Sequence, residues 1–371
     1  MSSDVFFIDL RASIKRTSLQ KLEDLVEKVK WPASLPPKSL VAIKIHFGEK
    51  GNTSYIHPVI VRSVLDKIKS WKMKPFLTDA NTLYVGSRAN SVDHLITAIE
   101  NGFTYSVTGV PIIIADGIRG ASETAVQINQ EIYEEVFIGE EIIHADALVS
   151  LAHFKAHELS GFGGTLKNLG MGCASRKGKM AQHSEVSPKV NKKKCVGCGT
   201  CAIHCPADAI RVSDDDGKAS TFDELCIGCG SCLVVCPQNA LEIRWDTDGA
   251  KFQKKMAEYA TGVLKGKEDR SFFINFVTNV NPECDCYHFN DVPIVNDVGI
   301  LASRDPVAID QAAFDLVNNQ PGRKDSRLKK GLRAGANKFT ALYPKINPEV
   351  QLEYAEKLGL GSRQYKLVKI K

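Results

Sequence analysis

Residues 195–206, CVGCGTCAIHCP, and residues 226–237, CIGCGSCLVVCP, stand in tandem near the middle of the chain. Each reads C-x-x-C-x-x-C-x-x-x-C-P, the ligand spacing of a [4Fe–4S] cluster. Cysteines at i, i+3 and i+6 wrap one tight loop around a cubane and leave one iron without a thiolate. The fourth cysteine, three residues further on and followed by proline, points away from that loop. Paired C-x-x-C units also suit structural zinc, but the third cysteine and the C-x-x-x-C-P tail in both halves argue against it. Gly197, Gly199, Gly228, Gly230 and Ser231 are small enough to bring backbone amides close to a bound cluster.

The stretch from about residue 188 to 245 resembles two-cluster bacterial ferredoxins. In those proteins the fourth thiolate of each run ligates the other cluster. The resemblance therefore assigns Cys195, Cys198, Cys201 and Cys236 to one cluster, and Cys226, Cys229, Cys232 and Cys205 to the second.

This segment is too small to account for 371 residues, and apolar runs alternate with helical periods on both sides of it. Strands are expected at 5–10, 40–47, 75–81, 110–115 and 147–154. Helices are expected around 19–30, 58–71 and 91–101, and in part of 123–141. Beyond the cysteines, 271–280 and 292–302 read as strands and 305–318 as an amphipathic helix. The basic tail from Arg323 reads as helical, with an edge strand at 365–370. This order predicts an α/β fold: a discontinuous, largely parallel sheet domain with helices on both faces, built from residues 1–187 and 246–371. Residues 188–245 then form an inserted α+β ferredoxin-like domain.

Composition bounds the setting. No run of about 18 apolar residues occurs, so no membrane span is expected, and the N-terminal residues lack the apolar stretch of a signal peptide. Eleven cysteines without an export signal fit metal binding in a reducing cytoplasm. The net charge of +5 is modest, and Lys192–Lys194, the one basic run, reads as a solvated face or a docking patch for an acidic redox partner. Nothing points to nucleic acid.

In such sheets ligands bind beyond the carboxyl ends of the strands. Polar residues collect there: Lys44 and His46, Asp79 and Asn81, then His153, Lys155 and His157. Taken singly these are hydrogen-bonded strand ends; converging, they make a site, with His153, Lys155 and His157 as candidates to bind or protonate a substrate or to hold a metal. Gly163, Gly164, Thr165 and Lys167 open a helix, either as an anion cradle or as a bare turn, and match neither the Walker nor the dinucleotide pattern. Cys284, Cys286 and His288 alternate, so in extended form they share a face. They read as half of an additional metal site, completed by His183 or a strand-end histidine, or as ordinary thiols.

The segments 153–157 (HFKAH), 163–170 (GGTLKNLG) and 303–310 (SRDPVAID) resemble the signatures of the domain-of-unknown-function 362 family. The resemblance covers nearly the whole chain. It implies an α/β domain with an inserted two-cluster ferredoxin and names no reaction. The expected function is an iron–sulfur redox protein that passes low-potential electrons to a pocket or a partner, such as a ferredoxin or an oxidoreductase. The rival expectation is an electron carrier or reductive activator without a substrate site of its own.

Overall fold

The structure, a computed structural model, describes residues 2–30, 35–184, 187–245 and 247–370. Eight strands form one sheet: β1 (Ser3–Ile8), β2 (Leu40–Ile45), β3 (Lys74–Asp79), β4 (Ile112–Ile114), β5 (Ala147–His153), β6 (Ser271–Val277), β7 (Gly299–Ser303) and β8 (Tyr365–Lys369). Their spatial order is β8-β1-β7-β6-β5-β2-β3-β4. The run from β6 through β5, β2 and β3 to β4 is parallel. Only β7 runs against its neighbours, β1 and β6. The strands N-terminal and C-terminal to the cysteine runs thus share one sheet.

The central strands are buried on both faces, as parallel strands must be. Val41, Ile43 and Ile45 of β2 point into one apolar core with α1 (Ser18–Lys28), α2 (Pro58–Ser70) and α3 (Ser91–Glu100). On the opposite face Ala42, Leu148 and Phe273 pack with α4 (Thr165–Gly170), α6 (Gly249–Leu264), α7 (Pro306–Asn318) and α8 (Val350–Lys357). Local chemistry sets the helix starts. Thr17 and Gln20 make a capping box for α1. Asp305 caps α7, accepting from the Val307 and Ala308 amides at 2.9 and 2.8 Å with Pro306 in the first turn.

Several elements depart from the sequence reading. α6 follows residue 246, which lies outside the described residues; its buried Gln253, Lys255 and Glu258 break the apolar stripe that betrays a helix. Part of 123–141 was expected to be helical. Glu123–Gln127 and Glu135–Gly139 instead pair as an antiparallel ribbon, leaving only Glu140–His144 as helix. The second strand beyond the cysteines is confined to β7, and the helical part of the basic tail is confined to the short helix Lys338–Leu342 and α8, ahead of the edge strand β8.

Residues 187–245 contribute no strand to the large sheet. They form two small ribbons, Lys189–Val190 with Leu241–Glu242 and Ile210–Val212 with Ala219–Thr221, and the short helices Thr200–Ile203 and Ser231–Val235. Ile210, Leu233 and Leu241 form a small core with Cys195, Cys201 and Cys232, and Leu83 and Met180 of the α/β body join it. No helix among the described residues is long and apolar enough to cross a membrane.

Candidate functional site

At the carboxyl ends of β2, β3 and β5 the chain encloses a cavity of about 880 Å³, lined by Lys44, His46, Asp79, His153, Lys155 and His157 among others. Asn81 is not among them; its amide is drawn away to Asp116 and the Gly117 carbonyl, both at 2.8 Å. Lys44 is fully buried, with its ammonium 2.9 Å from Asp79 and 2.9 Å from the side-chain oxygen Oδ1 of Asn168. Burial opposes the charge on Asp79, yet Lys44 holds its carboxyl well below the usual range. Asn168 donates in turn to Ser150 Oγ at 2.8 Å and to the Lys44 and Leu151 carbonyls, tying α4 to β2 and β5. A Cβ on Gly172 would sit 2.5 Å from Lys44 Nζ and 2.3 Å from the Asn168 carbonyl oxygen, so only glycine fits beside this pair.

Asp285 is the hub of the wall beside β5. Its carboxylate is fully buried and accepts from Ser54 Oγ at 3.0 Å, His153 Nδ1 at 2.9 Å and Lys155 Nζ at 3.0 Å. Burial raises its proton affinity, but His153 and Lys155 outweigh it and keep the carboxyl well below the usual range. The second nitrogen of His153 lies 2.8 Å from the Thr278 carbonyl, and Lys155 also donates to the His153 carbonyl at 3.0 Å. With both ring nitrogens engaged, His153 has no free lone pair to take a proton or bind a metal. It is a positioning residue, and Lys155 is partly so.

His157 is placed differently. Its Nδ1 accepts from the Leu159 and Ser160 amides at 3.2 and 3.3 Å, and its ring lines the cavity together with Cys284. His46 Nδ1 accepts from the Gly48 amide at 3.0 Å, while its Nε2 is buried without a partner at the cavity. Burial pushes His46 well below the usual imidazole value, with Arg88 adding to the effect. The ring is therefore neutral, and the amide bond into Nδ1 leaves Nε2 as a buried donor without a partner.

Cys284 and Cys286 line the same cavity with their sulfurs 2.7 Å apart, and Lys167 Nζ lies 3.4 Å from Cys284 Sγ. The hydrogen bond from Cys286 holds Cys284 well below the usual thiol range, helped by Lys167 and His157 against burial. The same bond keeps Cys286 protonated. Tyr84 OH donates to Glu49 at 2.9 Å and to the Cys286 carbonyl at 3.1 Å, and Arg88 reaches Glu49 at 3.2 Å and Asp79 at 3.4 Å. Asp285, Glu49, Tyr84 and Arg88 escaped sequence reasoning. The expected extended face of Cys284, Cys286 and His288 does not form, because the Tyr287 amide closes a turn on the Cys284 carbonyl at 3.1 Å; Asp285 had one available signal, its place between two cysteines.

The glycine-rich turn does not offer its amides to a ligand. Asp310, buried, accepts from the Thr165 and Leu166 amides at 2.7 and 2.8 Å and from Asn275 at 2.7 Å. A Cβ on Gly164 would meet Asp310 at 2.3 Å. The expected anion cradle at Gly163, Gly164 and Thr165 is thus filled by a carboxylate of the chain itself, and of that set only Lys167 reaches the reactive groups of the cavity.

The cysteine runs adopt the same conformation twice. Gly197 and Gly199 have φ of +70° and +73°, and Gly228 and Gly230 have +68° and +67°. This left-handed backbone curls each loop around its thiols. One small cavity is lined by Cys195, Cys198, Cys201 and Cys236. A second is lined by Cys205, Cys226, Cys229 and Cys232. The Ala209 and Ala240 amides each donate to a sulfur, Cys205 and Cys236 respectively, at 3.2 Å. Among the described residues no three His, Cys, Asp or Glu side chains gather closely enough to hold a single metal ion, Cys284 and Cys286 included.

A search of the curated proteins gives no match. Among solved structures the chain is similar to the lactate racemase apoprotein from Thermoanaerobacterium thermosaccharolyticum, at 13% identity and a TM-score of 0.34, covering 75% of this chain and 51% of that one. It is also similar to a structural-genomics crystal structure from Thermotoga maritima, at 10% identity and a TM-score of 0.40, covering 82% and 59%. The chain spans 51% and 59% of the length of these two proteins. Residues 41–315 match the family described as Domain of unknown function (DUF362), and the chain belongs to that family.

Proposed function

We propose that the chain is a cytoplasmic iron–sulfur redox protein that brings low-potential electrons to chemistry in the strand-end cavity, and so acts as an oxidoreductase. The observation that carries this reading is the grouping of the thiols. Each small cavity takes three cysteines of one run and the fourth of the other, the exchange found in two-cluster ferredoxins. The donor set fits. Four thiols surround a space rather than a point, as the wider spacing of a cubane's ligands requires, and amides aimed at the sulfurs favour a reduced, more negative group. When bound, [4Fe–4S] clusters supply single electrons, with potentials spanning roughly −700 to +450 mV across proteins.

The chain's own residues supply the rest. Lys167 and His157 line the cavity and can orient a substrate or hold a proton on it. Val85, Leu83 and Phe252 keep much of its wall apolar. One feature favours the rival reading of an electron carrier: Cys198 is exposed, flanked by Val196 at 60% and Ile203 at 83% exposure, a face suited to a redox protein partner. The size of the strand-end cavity, about 880 Å³, and the buried charged groups in its wall favour the enzyme.

The test is iron, sulfide and total-metal analysis of anaerobically purified protein, with EPR after dithionite reduction. About eight iron and eight sulfide per chain with interacting S = 1/2 signals support the reading. Zinc without sulfide overturns it.

A further inference from the structure

We propose that Cys284 and Cys286 are a redox-active dithiol that reduces a disulfide substrate entering the strand-end cavity, with Cys284 attacking and Cys286 resolving. This inference names the substrate class of the proposed oxidoreductase. It rests on that reading for the source of electrons and not for the thiol exchange itself.

Three observations carry it. Cys284, Asp285 and Cys286 lie in a turn closed by the Tyr287 amide on the Cys284 carbonyl at 3.1 Å, and both cysteines line the cavity. Asp285 is locked into the protein by Ser54, His153 and Lys155, which keeps both sulfurs turned to the cavity. The sulfurs are 2.7 Å apart, close enough for one to attack a bond made by the other after small rotations. Their surroundings are unequal: Lys167 lies 3.4 Å from Cys284 and, with His157, favours its thiolate, while Cys286 keeps its proton. An attacking thiolate beside a cation and a protonated neighbour is the arrangement thiol–disulfide exchange requires. The cavity of about 880 Å³ is large enough for a small organic disulfide.

The step balances as follows. The Cys284 thiolate attacks one sulfur of R–S–S–R′, forming a mixed disulfide and releasing R′S⁻, which takes a proton. Cys286 then loses its proton and attacks the Cys284 sulfur, closing the protein disulfide and releasing RS⁻, which takes that proton. In sum the thiolate, the thiol, one disulfide and one proton give a protein disulfide and two free thiols. Two electrons and one proton, from a dithiol reductant or from single-electron donors in sequence, restore the starting pair.

The assay uses the anaerobic holoprotein and 4,4′-dithiodipyridine, whose released thione absorbs light. About two equivalents of thione per chain are expected, with the peptide holding residues 284–286 lighter by two hydrogens and free of adduct. Cys286→Ser halves the release and traps a mixed disulfide on Cys284, and Cys284→Ser abolishes it, with iron content unchanged in both. Wild-type protein that keeps both thiols reduced while the probe is in excess overturns the proposal without touching the iron–sulfur reading. So does a stoichiometric metal on the wild type that both variants lose. Low iron with normal thione release would sink the iron–sulfur reading and leave the dithiol standing.

Discussion

Replacing Asp285 with Asn removes one negative charge and almost no volume, so its effect isolates electrostatics. The carboxylate is fully buried and lies within 3.0 Å of the His153 ring and the Lys155 ammonium. At an effective dielectric constant near 20, each contact is worth roughly 5 kcal/mol before desolvation. Deleting one partner of such a set leaves buried positive charge uncompensated, at about 3–5 kcal/mol. Asn also turns a donor toward His153 or Lys155, both donors themselves. Asp285→Asn should therefore lose about 4 kcal/mol in anaerobic urea unfolding, or about 5 °C in Tm for a chain of this length. Ser54→Ala, which removes a single neutral donor, should lose about 1 kcal/mol. The pH dependence gives a second check. The folded carboxyl lies below its unfolded value of 3.8, so its stabilisation is present above about pH 4 and fades as the pH falls through the folded value. The gap between wild type and variant should be flat from about pH 8 to 5 and close only below that. A variant within about 1 kcal/mol of wild type at pH 7 would refute the hub, meaning that His153 and Lys155 find other partners once the carboxylate is gone.

Cys236→Ser and Cys195→Ser should each cost about half the iron, and the double variant no more than either alone, because both thiols line one cavity. A double variant that loses nearly all its iron would mean that the thiols group by run instead. Gly172→Ala should destabilise by about 2–3 kcal/mol, since its Cβ meets the Asn168 carbonyl at 2.3 Å and Lys44 at 2.5 Å and neither can retreat cheaply; unchanged urea midpoints would disprove that packing. Burial pushes the Cys173 thiol up to about 12, so at pH 8 its thiolate fraction is on the order of one in ten thousand. Native protein treated with iodoacetamide should carry label on Cys284 and none on Cys173, as read by peptide mass mapping; early labelling at Cys173 would contradict its burial.

The sequence made legible what depends on spacing within one segment. The strands β2, β5 and β6 show as mainly apolar runs because both their faces are covered, and the two cysteine loops show in their repeat. That polar groups at three strand ends meet also follows from a parallel sheet. What stayed hidden depends on residues distant in the chain. Asp310 comes from 145 residues away to fill the Thr165 amide, so a glycine turn that looks open in sequence is closed in space. Asp285 looks like a spacer between two cysteines until folding brings Ser54, His153 and Lys155 to it. Arg88, Glu49 and Tyr84 lie in loops that carry no period to read. α6 hid because its polar side chains are buried on specific partners: Glu258 accepts from the Ile132 and Tyr133 amides at 2.9 and 2.8 Å and from Tyr354 OH at 2.6 Å. A polar residue that satisfies such partners erases the stripe by which a helix is recognised.

The way the cysteine segment joins the α/β body bears on whether cavity and cysteines act together. The segment leaves after α5 (Arg176–His183) and returns just before α6. Its stems do not simply hang from the surface. His183 and Trp245 meet edge to face with centroids 4.7 Å apart, His183 stacks on Phe252 at 4.9 Å, and all three line the large cavity. On the other side, Leu83 and Arg176 pack against the loop at Gly230, next to Cys229, while the adjacent Tyr84 bonds to the Cys286 carbonyl. Two neighbouring residues thus touch the second cysteine loop and the Cys284–Cys286 segment. A loop excursion that served only to staple itself would need neither a stem built into the cavity wall nor this second contact. Trp245→Ala separates the cases, because the side chain is half exposed and its loss leaves the cysteine loops intact. If the stem closes the cavity, the variant keeps its iron while the thione release at Cys284 changes rate severalfold. An unchanged rate would leave the segment and the cavity as separate devices on one chain.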